Sequence, residues 1–447
     1  MASSARQYFP AAVRPAAYKW WVVFMLWFIC FSNYADRQAI FSVFPKIKEE
    51  FGFDKLQLGL IGSAFMWVYA AGAPFAGFMG DRLRRKDLIL GGCLFWSFVT
   101  VMTGWCHRLW HFVTVRALEG FGETFYFPAS MSLVSDYHGR QTRSRALSFH
   151  QSSVYIGTIA GSWLGAWFAE QHGWRVGFYF FGSAGMLLAL VLYRFLREPR
   201  RGEADAASGE LAVQNVASGK PLSLRETARS IFRAPTALLL MAVFLGANFV
   251  ATIFLTWTPT FLIEKFNFKL TTAGLSGGVF IHLASALSVP LAGMLADRFA
   301  RRFAGGRMLV QALGLLVGSG FVFLVGTTAT VSTLLVAMTC FGFCKGFYDS
   351  NIFASLYDVT EPRARATAAG IMNTVGWGGG ALGPLTVGWV AKHGRHASET
   401  ENMSEAIACG GAIYLAGAVL LLTAIVFFAR RDLARMTGLP AWQKATP

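Results

Sequence analysis

Charge is scarce in this chain. Only 14% of its 447 residues are Asp, Glu, Lys or Arg, against about 25% in soluble domains, which argues against a single soluble globule. Six cysteines (Cys30, Cys93, Cys106, Cys340, Cys344, Cys409) show no CxxC spacing, so they are expected to be small apolar packing residues rather than disulfide or metal ligands. There is no HExxH, no clustered His/Cys and no ATP-binding motif, so the chain is expected not to be an enzyme and to hold no metal or cofactor. Apolar residues are abundant instead: 54% of the chain is hydrophobic, with 41 Phe, 14 Trp and 47 Gly, and the mean hydropathy is +0.45. A net charge of +16 on a soluble protein would point to nucleic acid. Here the basic residues fall between apolar runs, which points to membrane orientation and to no nucleic-acid partner.

Runs of about 20 apolar residues, enough to cross a bilayer as a helix, are predicted near 19–43, 56–80, 88–106, 109–137, 146–170, 174–197, 236–263, 272–297, 306–326, 330–358, 366–391 and 406–430. The expectation is an all-α membrane protein with twelve transmembrane helices in two six-helix bundles, 1–197 and 234–447. A polar linker at 198–233, carrying Gly202-Glu203-Ala204-Asp205, would join them. Alternate loops hold 28 and 9 Lys+Arg, with Arg37, Arg116 and Lys345 inside spans. The richer side includes both termini and the linker, which are therefore expected in the cytoplasm of a cell (inner or plasma) membrane. The first span is too long for a cleavable signal and has no small-residue cleavage site after it. Asn402-Met403-Ser404 is a formal glycosylation sequon in an outer loop.

The chain repeats itself. Pro74-x-x-Gly77-x-x-x-Asp81-Arg82-x-x-Arg85-Lys86 follows span two, and Pro290-x-x-Gly293-x-x-x-Asp297-Arg298-x-x-Arg301-Arg302 follows span eight. Arg143-Ser144-Arg145-Ala146 is echoed by Arg363-Ala364-Arg365-Ala366. A six-helix unit written twice is the parallel arrangement of two-half carriers. Asp81, Arg82, Arg85, Asp297, Arg298 and Arg301 are candidate conformational latches; the competing reading, charges that only set topology, accounts for the Arg residues but not for the repeated Gly and Asp. This loop pair resembles the signature of the major facilitator superfamily, departing from it at Arg84 and Ala300. The resemblance implies two bundles around a cavity that opens alternately to either side, with one chain sufficient for function.

A charge at bilayer depth costs about 2.5–3.5 kcal/mol on insertion scales, so each is a functional candidate. Span one carries Asn33-Tyr34-Ala35-Asp36-Arg37, and span ten carries Cys344-Lys345-Gly346-Phe347-Tyr348-Asp349. On span four, Arg116, Glu119 and Glu123 share one helical face. Arg116 can pair with Glu119, and Glu123 lies deeper, where a carboxyl suits proton coupling; the competing reading is a permanent structural Arg–Glu pair. Asp36 and Arg37 point about 100° apart, so Arg37 is free to bind an anion while the proton occupancy of Asp36 decides its availability. Aligning Phe125-Tyr126 with Phe347-Tyr348 sets Glu123 opposite Lys345. Lys345 either pairs with Asp349, four residues on, or receives a second acidic group of the substrate. Tyr69, Gln151, Asn248 and Asn373 can meet substrate hydroxyls or serve as interhelical glue. His282 is expected to be a packing residue, and Gly376-Trp377-Gly378-Gly379-Gly380 a bendable gate.

The Asn33–Arg37 and Arg116–Ala129 segments closely resemble the anion:cation symporter branch of the superfamily. That resemblance implies proton coupling by Asp36, Arg37 and Glu123 and substrate contact by Arg116. The expected cargo is a small organic anion, a sugar acid or related carboxylate, moved together with protons by alternating access. The same Asn-Tyr-x-Asp-Arg and Gly-Glu signatures also resemble the spinster branch, which implies lysolipid or sphingosine-phosphate cargo as the alternative.

Overall fold

The computed structural model describes residues 18–138, 140–199, 231, 233–360 and 365–437. The linker expected at 198–233 and both extreme termini lie almost wholly outside the described residues, as do the side chains of Asp81 and Arg82. The rest is all-α.

In chain order the helices of the first half are α1 (Tyr18–Ser42), α2 (Phe44–Phe51), α3 (Lys55–Arg82), α4 (Arg85–Thr103), α5 (Leu109–Thr124), α6 (Tyr126–Tyr137), α7 (Arg140–Gln171) and α8 (Trp174–Phe195). The second half holds α9 (Pro235–Phe266), α10 (Leu270–Ala300), α11 (Gly306–Thr327), α12 (Val331–Asp349), α13 (Ile352–Asp358), α14 (Arg365–His393), α15 (Glu399–Thr423) and, after a π-helical turn at Ala424–Ala429, α16 (Arg430–Thr437). Eight segments are long and apolar enough to cross a membrane. Helices α1, α7, α14 and the α5–α6 pair are not among them.

Two predicted spans are each broken in two. The span at 109–137 is α5 and α6, parted at Phe125. Pro128 has no N–H to bond the carbonyl of Thr124 and its ring crowds that carbonyl, so the helix restarts one residue on. The freed turn is steadied by Thr124 Oγ1, which donates to the Gly120 carbonyl at 2.7 Å. The span at 330–358 also parts, between Asp349 and Ile352, where the sequence has no proline.

Helix α2 was not anticipated: it is short and amphipathic, too brief to register as a span. Gly52 ends it in the left-handed region (φ 68°), where only glycine sits without strain. Asp54 then caps α3, accepting from Gln57 N at 2.8 Å while Gln57 Oε1 accepts from Asp54 N at 2.9 Å, a reciprocal capping box.

With no hydrophobic force between helices in lipid, small residues bring the backbones together. A Cβ on Gly161 would collide with the Ala35 carbonyl, so α7 lies against α1; one on Gly120 would collide with the Phe65 carbonyl, so α5 lies against α3. Helix α3 also packs on α14 and α7 on α10, and these two contacts join the halves. The sequon residue Asn402 is buried: its amide donates to the Ala391 and His396 carbonyls at 3.2 and 3.0 Å, and its Oδ1 accepts from His396 N at 2.9 Å. It is occupied in holding the 394–398 turn rather than offered for glycosylation.

Candidate functional site between the two halves

Close packing of α1, α3, α5 and α7 gathers five ionisable side chains in the interior: Asp36, Arg37, Arg116, Glu119 and Glu123, each less than a tenth exposed. Arg37 Nε donates to Glu123 Oε2 at 2.8 Å, its Nη2 donates to the same oxygen, and Nη2 reaches Asn33 Oδ1 at 3.4 Å. Arg116 Nη1 donates to Glu119. Glu123 Oε1, both oxygens of Asp36, and Nε and Nη2 of Arg116 have no hydrogen-bond partner in the protein. Buried polar atoms are ordinarily satisfied, so these point to water, protons or a ligand as their partners.

The geometry corrects one expectation from the sequence. The carboxylate that holds Arg37 is Glu123, 86 residues away, and not Asp36, its neighbour in the chain. As adjacent helical positions Asp36 and Arg37 diverge, and the Asp36 oxygens stay unpartnered.

Four aromatic rings enclose the Arg37 guanidinium. Its Cζ lies 4.5 Å from the centroid of Tyr34, 4.6 Å from Phe65, 5.4 Å from Tyr69 and 5.6 Å from Trp377. Three rings belong to the first half, and Trp377 comes from α14 of the second, tilted 53° against Tyr69 with ring centroids 5.1 Å apart. Arg116 Cζ sits 4.8 Å from the Phe65 centroid, so one ring serves both cations. Such contacts contribute about 0.5–2 kcal/mol each according to desolvation. The cage was not legible in advance, because spacing along a chain says nothing of rings on other helices.

The remaining candidates scatter around this centre. Tyr69 is buried, while Gln151 on α7 and Asn373 on α14 are half-buried. Asn248 Nδ2 donates to the carbonyl of Phe244, one turn back on its own helix, at 2.9 Å. Trp257 donates to the Pro384 carbonyl at 3.1 Å and is fully buried, so it packs rather than lines a cavity. His282 faces Tyr155 across the halves, ring centroids 6.2 Å apart. Lys345 is ion-paired with Asp349, the first of its two sequence options.

The duplicated loops hold two different networks. Arg85 is buried and pairs with Asp136 and, at 2.9 Å, with Glu198. In the second half Arg307, not Arg298 or Arg301, carries the pairing, with Asp297 at 3.0 Å and Asp358 at 2.9 Å. Arg298 and Arg301 are exposed.

At the opposite end of the helices the halves are tied to each other, a feature that charge counting did not reveal. Lys55, buried at the start of α3, bonds Glu264 at 2.5 Å and lies 3.7 Å from Glu399. Lys48 on α2 pairs with Glu399 at 2.9 Å, and Lys392 with Asp54 at 2.6 Å. Glu170 accepts from the backbone and hydroxyl of Thr271 at 2.9 and 2.6 Å. Burial pushes the Asp54 carboxyl up, but Lys392 and the N–H groups at the start of α3 outweigh it and hold it below the usual carboxylate range. The Arg175 guanidinium does the same for Glu50.

Gly274-Leu275-Ser276-Gly277-Gly278 spells the pattern of a hydrolase nucleophile elbow, but it lies inside α10 and not at a strand-to-helix turn, where that chemistry needs it. Among the described residues there is no cluster of His, Cys, Asp and Glu able to hold a metal.

Comparison with known proteins agrees with this architecture. The chain matches the Major Facilitator Superfamily over residues 26–384 and 272–446. It is 27% identical over 385 residues to the chloroplastic ascorbate transporter of Arabidopsis thaliana, spanning 84% of this chain and 70% of that protein. It is also 27% identical over 423 residues to a "Probable L-galactonate transporter" of Escherichia coli (strain K12), spanning 92% and 89%. The crystal structure of a bacterial homolog of the human lysosomal transporter Spinster, inward-facing and unoccupied, superposes with a TM-score of 0.74 at 22% identity, covering 95% of this chain and 99% of that one. Two packed halves and matches across both of them lead to one conclusion: the chain belongs to the major facilitator superfamily and is a transporter, not an enzyme.

Proposed function

We propose that the protein is a secondary active transporter that carries a small organic anion, a sugar acid or related carboxylate, together with protons. It would have twelve membrane spans in two six-helix bundles, both termini in the cytoplasm of a cell membrane, and work as a single chain. The observation that carries the reading is the buried Arg37–Glu123 pair, caged by rings from both halves, beside an Asp36 with no partner. Relatives named for ascorbate and L-galactonate support the cargo class.

Charge arithmetic at the site gives the coupling. Arg37 and Arg116 supply two positive charges, and Asp36, Glu119 and Glu123 three negative ones. A site buried between the halves favours neutrality, because uncompensated charge there costs several kcal/mol. When empty, one proton on Asp36 achieves it. Binding a monoanion requires one more proton, and Glu123 is the group that must take it, since protonating Glu123 releases Arg37 to grip the incoming carboxylate. Arg116, whose Nε and Nη2 are unpartnered, adds a second contact, and Tyr69, Gln151 and Asn373 meet hydroxyls. One proton thus accompanies one monoanion.

Alternating access follows from the two sets of latches. The Lys55–Glu264, Lys48–Glu399 and Lys392–Asp54 bridges close the end we assign to the outside. At the other end the ion pairs of Arg85 with Asp136 and of Arg307 with Asp358 each stay within one half. This is the arrangement of a carrier closed outward. A neutralised, occupied site lets the halves rock about the cargo. The role of Asp81, Arg82, Arg85, Asp297, Arg298 and Arg301 would be to hold each half's cytoplasmic loops in one of the two states. The test is uptake by proteoliposomes: inward acidification by gluconate supports the reading, and efflux of lysolipid with no acid uptake would replace it.

A further inference from the structure

The central site does not use Lys345, the cation that the sequence places inside a span of the second half. Lys345 stands at the position that the internal repeat sets opposite Glu123. It is ion-paired with Asp349, one helical turn on. Such a pair is costly at bilayer depth and contributes little to stability that apolar side chains would not. It is also not sealed in: the Lys345 side chain is 15% exposed and that of Asp349 33%.

Its surroundings come from both halves. A Cβ on Gly342 would collide with the Ile281 carbonyl, so α12 lies tight on α10 and brings His282 to Lys345. Tyr155 reaches in from α7 of the first half, in contact with His282 and within electrostatic reach of both Lys345 and Asp349. Tyr348 and Tyr414 also lie within electrostatic reach of Asp349. The cluster therefore copies the logic of Arg37–Glu123: a cation held by its own exchangeable carboxylate, at a junction of the halves, with neutral donors beside it.

We propose that Lys345–Asp349 is a second anion-exchange station and that the preferred cargo is a dianion, a dicarboxylate whose far carboxylate displaces Asp349 from Lys345. This rests on the reading of the central site given above. Asp349 takes up one proton as it leaves, so its charge is cancelled while Lys345 pairs with the substrate; no bond beyond that O–H forms or breaks. A dicarboxylate then travels with two protons and a monocarboxylate of the same backbone with one.

D-Glucarate and D-gluconate are suitable probes, differing only at one terminal carbon. In proteoliposomes of the intact protein, with proton flux read by a trapped pH dye and substrate by radiolabel, wild type should move two protons per glucarate and one per gluconate. Its affinity for glucarate should be about tenfold or more higher, the worth of one charge-assisted hydrogen bond. Lys345→Met should erase that preference and leave gluconate affinity within about twofold. Asp349→Asn, which keeps the side-chain shape, should still bind glucarate but carry it with one proton, and Lys345→Arg should restore the preference. Equal losses for both anions in Lys345→Met, or two protons per glucarate in Asp349→Asn, would overturn the station. If wild type takes up gluconate and not glucarate, only the station fails. If it takes up neither, the reading of the central site fails and the station with it.

Discussion

Replacing Glu123 by Gln is the perturbation that the central site makes most informative. Arg37 gives both Nε and Nη2 to Glu123 Oε2. The amide keeps an acceptor in that place and removes the charge. Stripping one partner from a buried ion pair outright costs about 3–5 kcal/mol. Here the remaining acceptor, Asn33 and four rings still face the guanidinium, so the destabilisation should be smaller, about 1.5–3 kcal/mol, the worth of a hydrogen bond to a charged group. The protein should fold. Function should split in two. With one proton per monoanion, each pH unit across the membrane is worth 1.36 kcal/mol, which supports about tenfold accumulation in wild type. Glu123→Gln is permanently in the proton-loaded form, so it should exchange labelled for unlabelled anion but show no accumulation above equality. The assay is paired counterflow and pH-driven uptake in the same proteoliposomes. A variant that still concentrates anion about tenfold per pH unit would refute the coupling role of Glu123.

Four further outcomes follow from the packing. Arg116→Ala leaves Glu119 buried without a partner and should lower thermal stability by about 3–5 kcal/mol; adding Glu119→Ala should recover stability but not anion binding, as read by thermal shift with and without gluconate. Gly161→Leu drives a side chain into the Ala35 backbone and should abolish monodisperse protein on size exclusion. Asp54→Ala removes the α3 cap and the Lys392 bridge and should cost about 1 kcal/mol, the worth of an N-cap. Because the folded Asp54 carboxyl is held below its unfolded value of about 3.9, its contribution is present above that pH and lost as pH falls through the lower folded value. The Asp54→Ala deficit should therefore be equal at pH 7.5 and 5.5 by thermal melts and vanish only in stronger acid; a deficit that shrinks between those two values contradicts the assignment.

What the sequence disclosed, and what it withheld, divides along a physical line. Helices such as α3, α8 and α9 were legible because twenty apolar residues in a row admit few other structures. Arg116 and Glu119 were legible as a pair because three residues along a helix bring side chains together. The partner of Arg37 was not, since a contact between α1 and α5 leaves no trace in spacing on either. The α5–α6 break was written in Pro128, yet hydrophobic length alone read through it. Helix α2 and the bridges between the halves were missed because lysines 46, 48 and 55 looked like loop charges, and nothing local shows that Lys55 would be buried against Glu264 of the other half.

The account depends on the Arg37–Glu123 pair parting when an organic anion arrives, the anion taking Arg37 and a proton taking Arg37's place on Glu123. The most direct measurement is lumenal pH, read by a trapped dye, when gluconate is added outside proteoliposomes that have no initial pH gradient. The prediction is acidification at one proton per labelled anion in wild type and none in Glu123→Gln. Anion entry into wild-type vesicles at constant lumenal pH would contradict it.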